Sequence, residues 1–218
     1  MKQPVSPTQK ALNLWAIILI VWAVYRANFK MPEWFDEFIT KPLVFILPVY
    51  YYIKNIDKKK FFESLYIKPK LFFKDLLLGL AVAGLFLITA VLANFIKFNK
   101  IFLFKGSVNP QALAIICLTA LATGISEEIL SRGFVLKKLY EESKNIYTAS
   151  FFASILFFFL HVPILFTNVK ITGNILLLFM ATDMALSLVN SFLFLQRKSL
   201  TLPILIHAFY NIALVFFV

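Results

Sequence analysis

The stretch Gly124-Ile-Ser-Glu127-Glu128-Ile-Leu-Ser-Arg132-Gly133 sets two adjacent carboxylates and an arginine inside an otherwise apolar segment. From Ala112 to Gly124 the preceding residues are apolar or small, so a helix running through them carries both acids into a bilayer. An ionised side chain at mid-membrane costs about 2.5 to 3.5 kcal/mol on insertion scales, and such residues face a polar interior and mark function. Glu128 and Arg132 are four apart, which places them on one helical face with the acid N-terminal, the better order for an ion pair. Glu127 lies about 100° further round the helix and is the freer carboxylate.

The chain holds two histidines, and both interrupt apolar segments: Phe157-Phe-Phe-Leu-His161 and His207-Ala-Phe-Tyr-Asn211. His207 and Asn211 share a helical face by the same spacing of four. Glu128 stands nine residues before Lys137, His161 nine before Lys170 and His207 nine after Lys198. At about 1.5 Å per helical residue, each is roughly 13 to 14 Å from a charged end, near the middle of a hydrocarbon core of about 30 Å.

Composition fixes the class. A hydrophobic share of 61% and a mean hydropathy of +0.83 are too high for a soluble domain, so the chain reads as an all-α polytopic membrane protein. The pattern predicts a bundle of about seven transmembrane helices around a buried polar cavity. The spans are Ala11 to Tyr25, Pro42 to Ile53 with a kink at Pro48, Leu71 to Ile96, Pro110 to the Lys137-Lys138 pair, Ile146 to Phe166, Ile175 to Leu195 and Thr201 to Val218. Lys2 and Lys10 before the first span resemble a signal peptide's charged region, but no small-x-small cleavage site follows, so it is expected to remain as a helix. Glu33, Asp36 and Glu37 are expected in the loop after it. Residues 1–218 form a single integral membrane domain, with the motif-bearing core at about 71–218 and two accessory helices in 1–70.

Charge sets an orientation. Alternate loops gather fifteen basic residues on the side of the N-terminus, including Lys58-Lys59-Lys60, and seven on the other, so the N-terminus is expected in the cytoplasm of a cell membrane. The net charge of +11 resides mainly between apolar segments, where anionic lipid head groups account for it. No nucleic-acid recognition motif accompanies it, and nucleic-acid binding is not expected. Cys117, the single cysteine, lies in an apolar run, so there is no internal disulfide.

Glu127-Glu128-x-x-x-Arg132-Gly133, Phe157-x-x-x-His161 and His207-x-x-x-Asn211, in that order in apolar helices, resemble the CPBP family of intramembrane proteases. That family includes the type II CAAX prenyl endopeptidases and the bacterial abortive-infection-like proteins. The resemblance covers about Leu71 to Val218. It implies an all-helical membrane fold with a cavity open to the cytoplasm, and hydrolysis of a peptide bond near the C-terminus of a membrane-associated peptide or protein. It further implies that Glu127 is the base that activates water, assisted by His161, and that His207 and Asn211 stabilise the oxyanion. Glu128 and Arg132 would form the supporting ion pair, with a direct role for Glu128 left open.

The chemistry needs a deprotonated water and donors aimed at the developing charge, both effective in a low-dielectric cavity. A metal-free mechanism is favoured. The alternative is a zinc ion held by Glu127, His161 and His207, with an open position for water. Asp183 departs from the small-residue character that many relatives show in this helix; it is expected to bond a neighbouring helix, with the cavity as its other possible place. Two other functional classes stand beside the protease: a proton-coupled transporter, and a non-catalytic bacteriocin-immunity or binding protein.

Overall fold

The computed structural model describes residues 5–99, 109–167 and 173–217; Lys2, Lys100, Lys105 and Lys170, four of the basic residues counted above, lie outside them. Among the described residues there is helix and no strand.

Helix α1 (Pro7–Asn28) starts where Ser6 accepts a hydrogen bond from the Gln9 amide and Pro7 occupies the first turn, where its missing N–H costs nothing. Helix α2 runs over 33–56. Here the expectation of a loop containing Glu33, Asp36 and Glu37 fails, because these residues begin the helix and Asp36, Glu37 and Lys41 are buried in it. Burial of these charges is tolerated because each is partnered: Asp36 pairs with Arg26 and accepts from the Tyr25 hydroxyl at 2.5 Å, both on α1. Around Pro42 and Pro48 the helix widens into π-helical turns at Asp36–Thr40, Pro42–Ile46 and Tyr52–Ile56, which absorb the backbone bonds that proline cannot make.

A short turn at Phe61–Ser64 leads to α3 (Phe72–Phe98). Its first turn is pinned through Asp75, which is fully buried and accepts from Arg197 Nε at 2.7 Å and Ser199 Oγ at 2.5 Å. Helix α4 (Pro110–Glu128) is capped by the Asn109 side chain and then widens into π-helical turns over Ile129–Leu136 before resuming as α-helix at Lys137–Ser143. The two adjacent acids sit at that change of pitch. Helices α5 (Ile146–Thr167, through Pro163), α6 (Gly173–Arg197) and α7 (Thr201–Phe217) follow.

Among the described residues, four helices are long and apolar enough to cross a membrane, at Pro7–Asn28, Pro69–Thr89, Pro110–Ser143 and Ile146–Pro163, with a shorter apolar helix at Thr201–Val215. Their outer faces expose Ile20, Val24, Phe73, Leu77, Leu85 and Leu118, as a surface solvated by lipid does. Inside, Trp22, Phe45, Val49, Tyr52, Phe134 and Leu136 join α1 and α2 to the wide turns of α4. Glycine permits the close approach of α4 to α7: a Cβ at Gly124 would stand 3.0 Å from the Ile204 carbonyl.

One end of the bundle gathers the connections around residues 57–71, 144–145 and 198–200. It is tied by the Lys138–Asp57 ion pair at 2.7 Å, the Thr8 hydroxyl on the Lys138 carbonyl at 2.9 Å and the Leu200 amide on the Tyr66 carbonyl at 3.3 Å. The start of α4 and the end of α7 lie at the other end.

Candidate active site

Glu128 and Arg132 meet across one helical turn, Arg132 Nη1 donating to Glu128 Oε1 at 2.9 Å, and both are fully enclosed. The same oxygen accepts from Asn190 Nδ2 at 3.1 Å and lies 2.9 Å from His207 Nδ1. Arg132 also donates to the Ser187 hydroxyl at 2.7 Å and carbonyl at 3.1 Å, and its guanidinium stacks 4.2 Å above the Phe157 ring. A carboxylate only accepts, so the His207 proton on this side resides on Nδ1 and its Nε2 faces the opposite way. That face carries Glu127.

Glu127 is held differently. Its Oε1 accepts from Lys41 Nζ at 2.7 Å, while its Oε2 has no hydrogen-bond partner among the described residues and lies 3.4 Å from His161 Nε2 and 3.7 Å from His207 Nε2. His161 Nδ1 is 3.1 Å from the Phe157 carbonyl and 3.5 Å from Asp183 Oδ2, two acceptors, which puts a proton on Nδ1. Its Nε2 is thereby turned to Glu127.

These groups form the floor of a cavity of about 410 Å³, with Asn211, Tyr210 and Thr123 on its walls and Ile115, Val215 and Glu33 toward its mouth. The structure thus brings Glu127, His161, His207 and Asn211 to one space and places Glu128 with Arg132 behind it. Asp183 both lines the cavity and reaches the neighbouring helix through His161.

Residues that the motifs did not single out complete the arrangement. Lys41 and Glu37 come from α2, one of the two helices expected to be accessory, and Ser187 and Asn190 come from α6. A signal for the first pair existed: Glu37 and Lys41 are spaced by four within an otherwise apolar stretch, and they do pair, at 2.6 Å.

The mouth is lined by the start of α2, the start of α4 and the end of α7, so it opens at the end of the bundle opposite the lysine-rich connections. The buried Lys41 and Arg132 carry no weight in a loop count, and removing them leaves fourteen basic residues against six.

Glu127, His161 and His207 converge as a zinc site would require, yet among the described residues no group of three or more His, Cys, Asp or Glu side chains is placed to hold a metal ion. The ammonium of Lys41 already lies against Glu127, where a second cation would be repelled.

Residues 109–213 match the family described as type II CAAX prenyl endopeptidase Rce1-like. The matched stretch contains both acids, both histidines, Arg132, Asp183 and Asn211, and ends before the last residues of α7. No curated protein matches the chain significantly.

Proposed function

We propose that the chain, which matches this family over residues 109–213, is an intramembrane endopeptidase using a carboxylate-activated water. The observation that carries the proposal is the Oε2 of Glu127, flanked by two imidazole nitrogens at 3.4 and 3.7 Å on the floor of the cavity. A water bound there would give one proton to Glu127 as its oxygen attacks the scissile carbonyl carbon. His161, oriented by Phe157 and Asp183, faces the same carboxyl through Nε2 and relays that proton from Glu127 toward the leaving amine. Asn211, and His207 when its ring carries both protons, donate to the oxyanion. Collapse of the intermediate breaks the C–N bond, and the proton held at Glu127 goes to the leaving amine. Glu128 and Arg132 hold His207 in place and take no part in the transfer. Zinc has no step in this scheme.

The seven long helical stretches each cross the membrane in this proposal, with the charged α2 shielded inside the bundle. The fourteen-to-six imbalance puts the N-terminus in the cytoplasm. The cavity mouth then faces away from the cytoplasm, and the substrate is a membrane-associated peptide or protein whose C-terminal part enters from that face.

The test is cleavage of a membrane-tethered peptide library by the purified protein in oriented proteoliposomes, with and without a strong chelator. Cleavage from the mouth face, insensitive to chelator and lost in Glu127→Gln and His207→Ala, is the expected result. Loss with chelator and recovery with zinc would replace the metal-free mechanism. Absence of cleavage by the folded protein from either face would return it to the binding or proton-relay classes.

A further inference from the structure

We propose that Lys41, from outside the matched stretch, is a positioning residue that divides the Glu127 carboxylate into an anchored oxygen and a reactive one; this rests on the protease reading above.

The geometry is a closed loop between two helices. Thr123 Oγ1 donates to Glu37 Oε2 at 2.7 Å, Lys41 Nζ donates to Glu37 Oε1 at 2.6 Å, and the same ammonium donates to Glu127 Oε1 at 2.7 Å. Thr123 and Glu127 are one turn apart on α4, and Glu37 and Lys41 one turn apart on α2, so each helix supplies both ends of its own rung. Lys41 is 3% exposed, with the Trp22 ring 5.9 Å from its ammonium, and the Thr119 carbonyl on α4 lies 2.9 Å from Thr123 Oγ1, sharing the one hydroxyl proton with Glu37. A free glutamate side chain rotates about three bonds, and either oxygen could then face the histidines or turn to the wall. With Oε1 tied to Lys41, Oε2 is left as the oxygen presented to the cavity, which matches its lack of a hydrogen-bond partner among the described residues.

A cation that merely balanced buried charge would act alike on any oxygen it neutralised. The loop does more, since it aims one carboxylate oxygen and at the same time registers α2 against α4 at the cavity wall. Holding the base in reach of the water is an orientation effect, and a misplacement of about 1 Å in such a group can cost about a hundredfold in rate.

The experiment is steady-state cleavage by the full-length protein in detergent or proteoliposomes, using a peptide that wild type cleaves. It compares Lys41→Met with the double variant Lys41→Met/Glu37→Gln, which removes the lysine and the acid it would leave unpaired. Thermal denaturation is followed on the same samples. We expect kcat to fall about a hundredfold in both, with KM within about threefold of wild type, while the double variant recovers thermal stability lost by the single one. A folded double variant that cleaves at the wild-type rate overturns the assignment, because Lys41 then only balances charge. A loss confined to KM overturns it too. Wild type without activity on any peptide fails the protease reading itself, a result distinct from both.

Discussion

Glu127 and Glu128 are neighbours in the chain and opposites in their surroundings. Glu128 spends one oxygen on three donors from three helices, Arg132, Asn190 and His207, and has no contact with the cavity. Glu127 gives one oxygen to Lys41 and turns the other to the cavity and two imidazoles. A helix rotates by about 100° per residue, so two adjacent acids on α4 necessarily face different partners, one toward α6 and α7 and the other toward α2 and α5. Under the proposed mechanism the doubled carboxylate assigns structure to one acid and chemistry to the next.

The sharpest way to break this contrast is to remove each charge alone. Glu127→Gln should lower kcat by about 10² to 10⁴, the range for a general base, with a denaturation midpoint close to wild type. If instead it unfolds the protein and spares the rate of the folded fraction, the division of roles is reversed.

Arg132→Met leaves Glu128 buried without its charged partner. It should cost about 3 to 5 kcal/mol, read as a large fall in the denaturation midpoint or loss of folded protein in detergent. A stable Arg132→Met protein without activity would move this pair from support into the reaction.

A smaller effect sharpens the same boundary from behind. The Cβ of Gly133→Ala would stand 2.6 Å from Leu65 Cδ2, in a spot where Leu65 is fully buried. Overpacking there should cost about 1 to 3 kcal/mol, while activity per folded molecule is kept, since nothing at Gly133 touches the cavity. Loss of kcat with stability intact would show that the wide turns of α4 transmit position to Glu127.

The membrane class and the local faces were legible in the chain, because both are properties of short windows. Apolar runs announce helices, and a spacing of four puts Glu128 beside Arg132 and His207 beside Asn211 whatever else surrounds them. Both histidines stood out as polar residues in apolar segments, and the family resemblance gathered the three motifs into one site. The boundary of α2 was misjudged for a physical reason: Asp36, Glu37 and Lys41 look like loop residues until their partners are known, and those partners include Arg26, Tyr25 and Glu127, up to 86 residues away.

What the sequence by itself determined is therefore the local part: an apolar helical chain, two acids turned to different sides of one helix, and ion pairs within a single turn. Tertiary structure alone decided which acid faces a cavity, that a lysine from α2 holds it, that Asp183 stands behind His161, and at which end the cavity opens. Each of these depends on how separate helices lie against one another. Burial of a charge is affordable only where such a neighbour meets it, and no window of the sequence contains both partners.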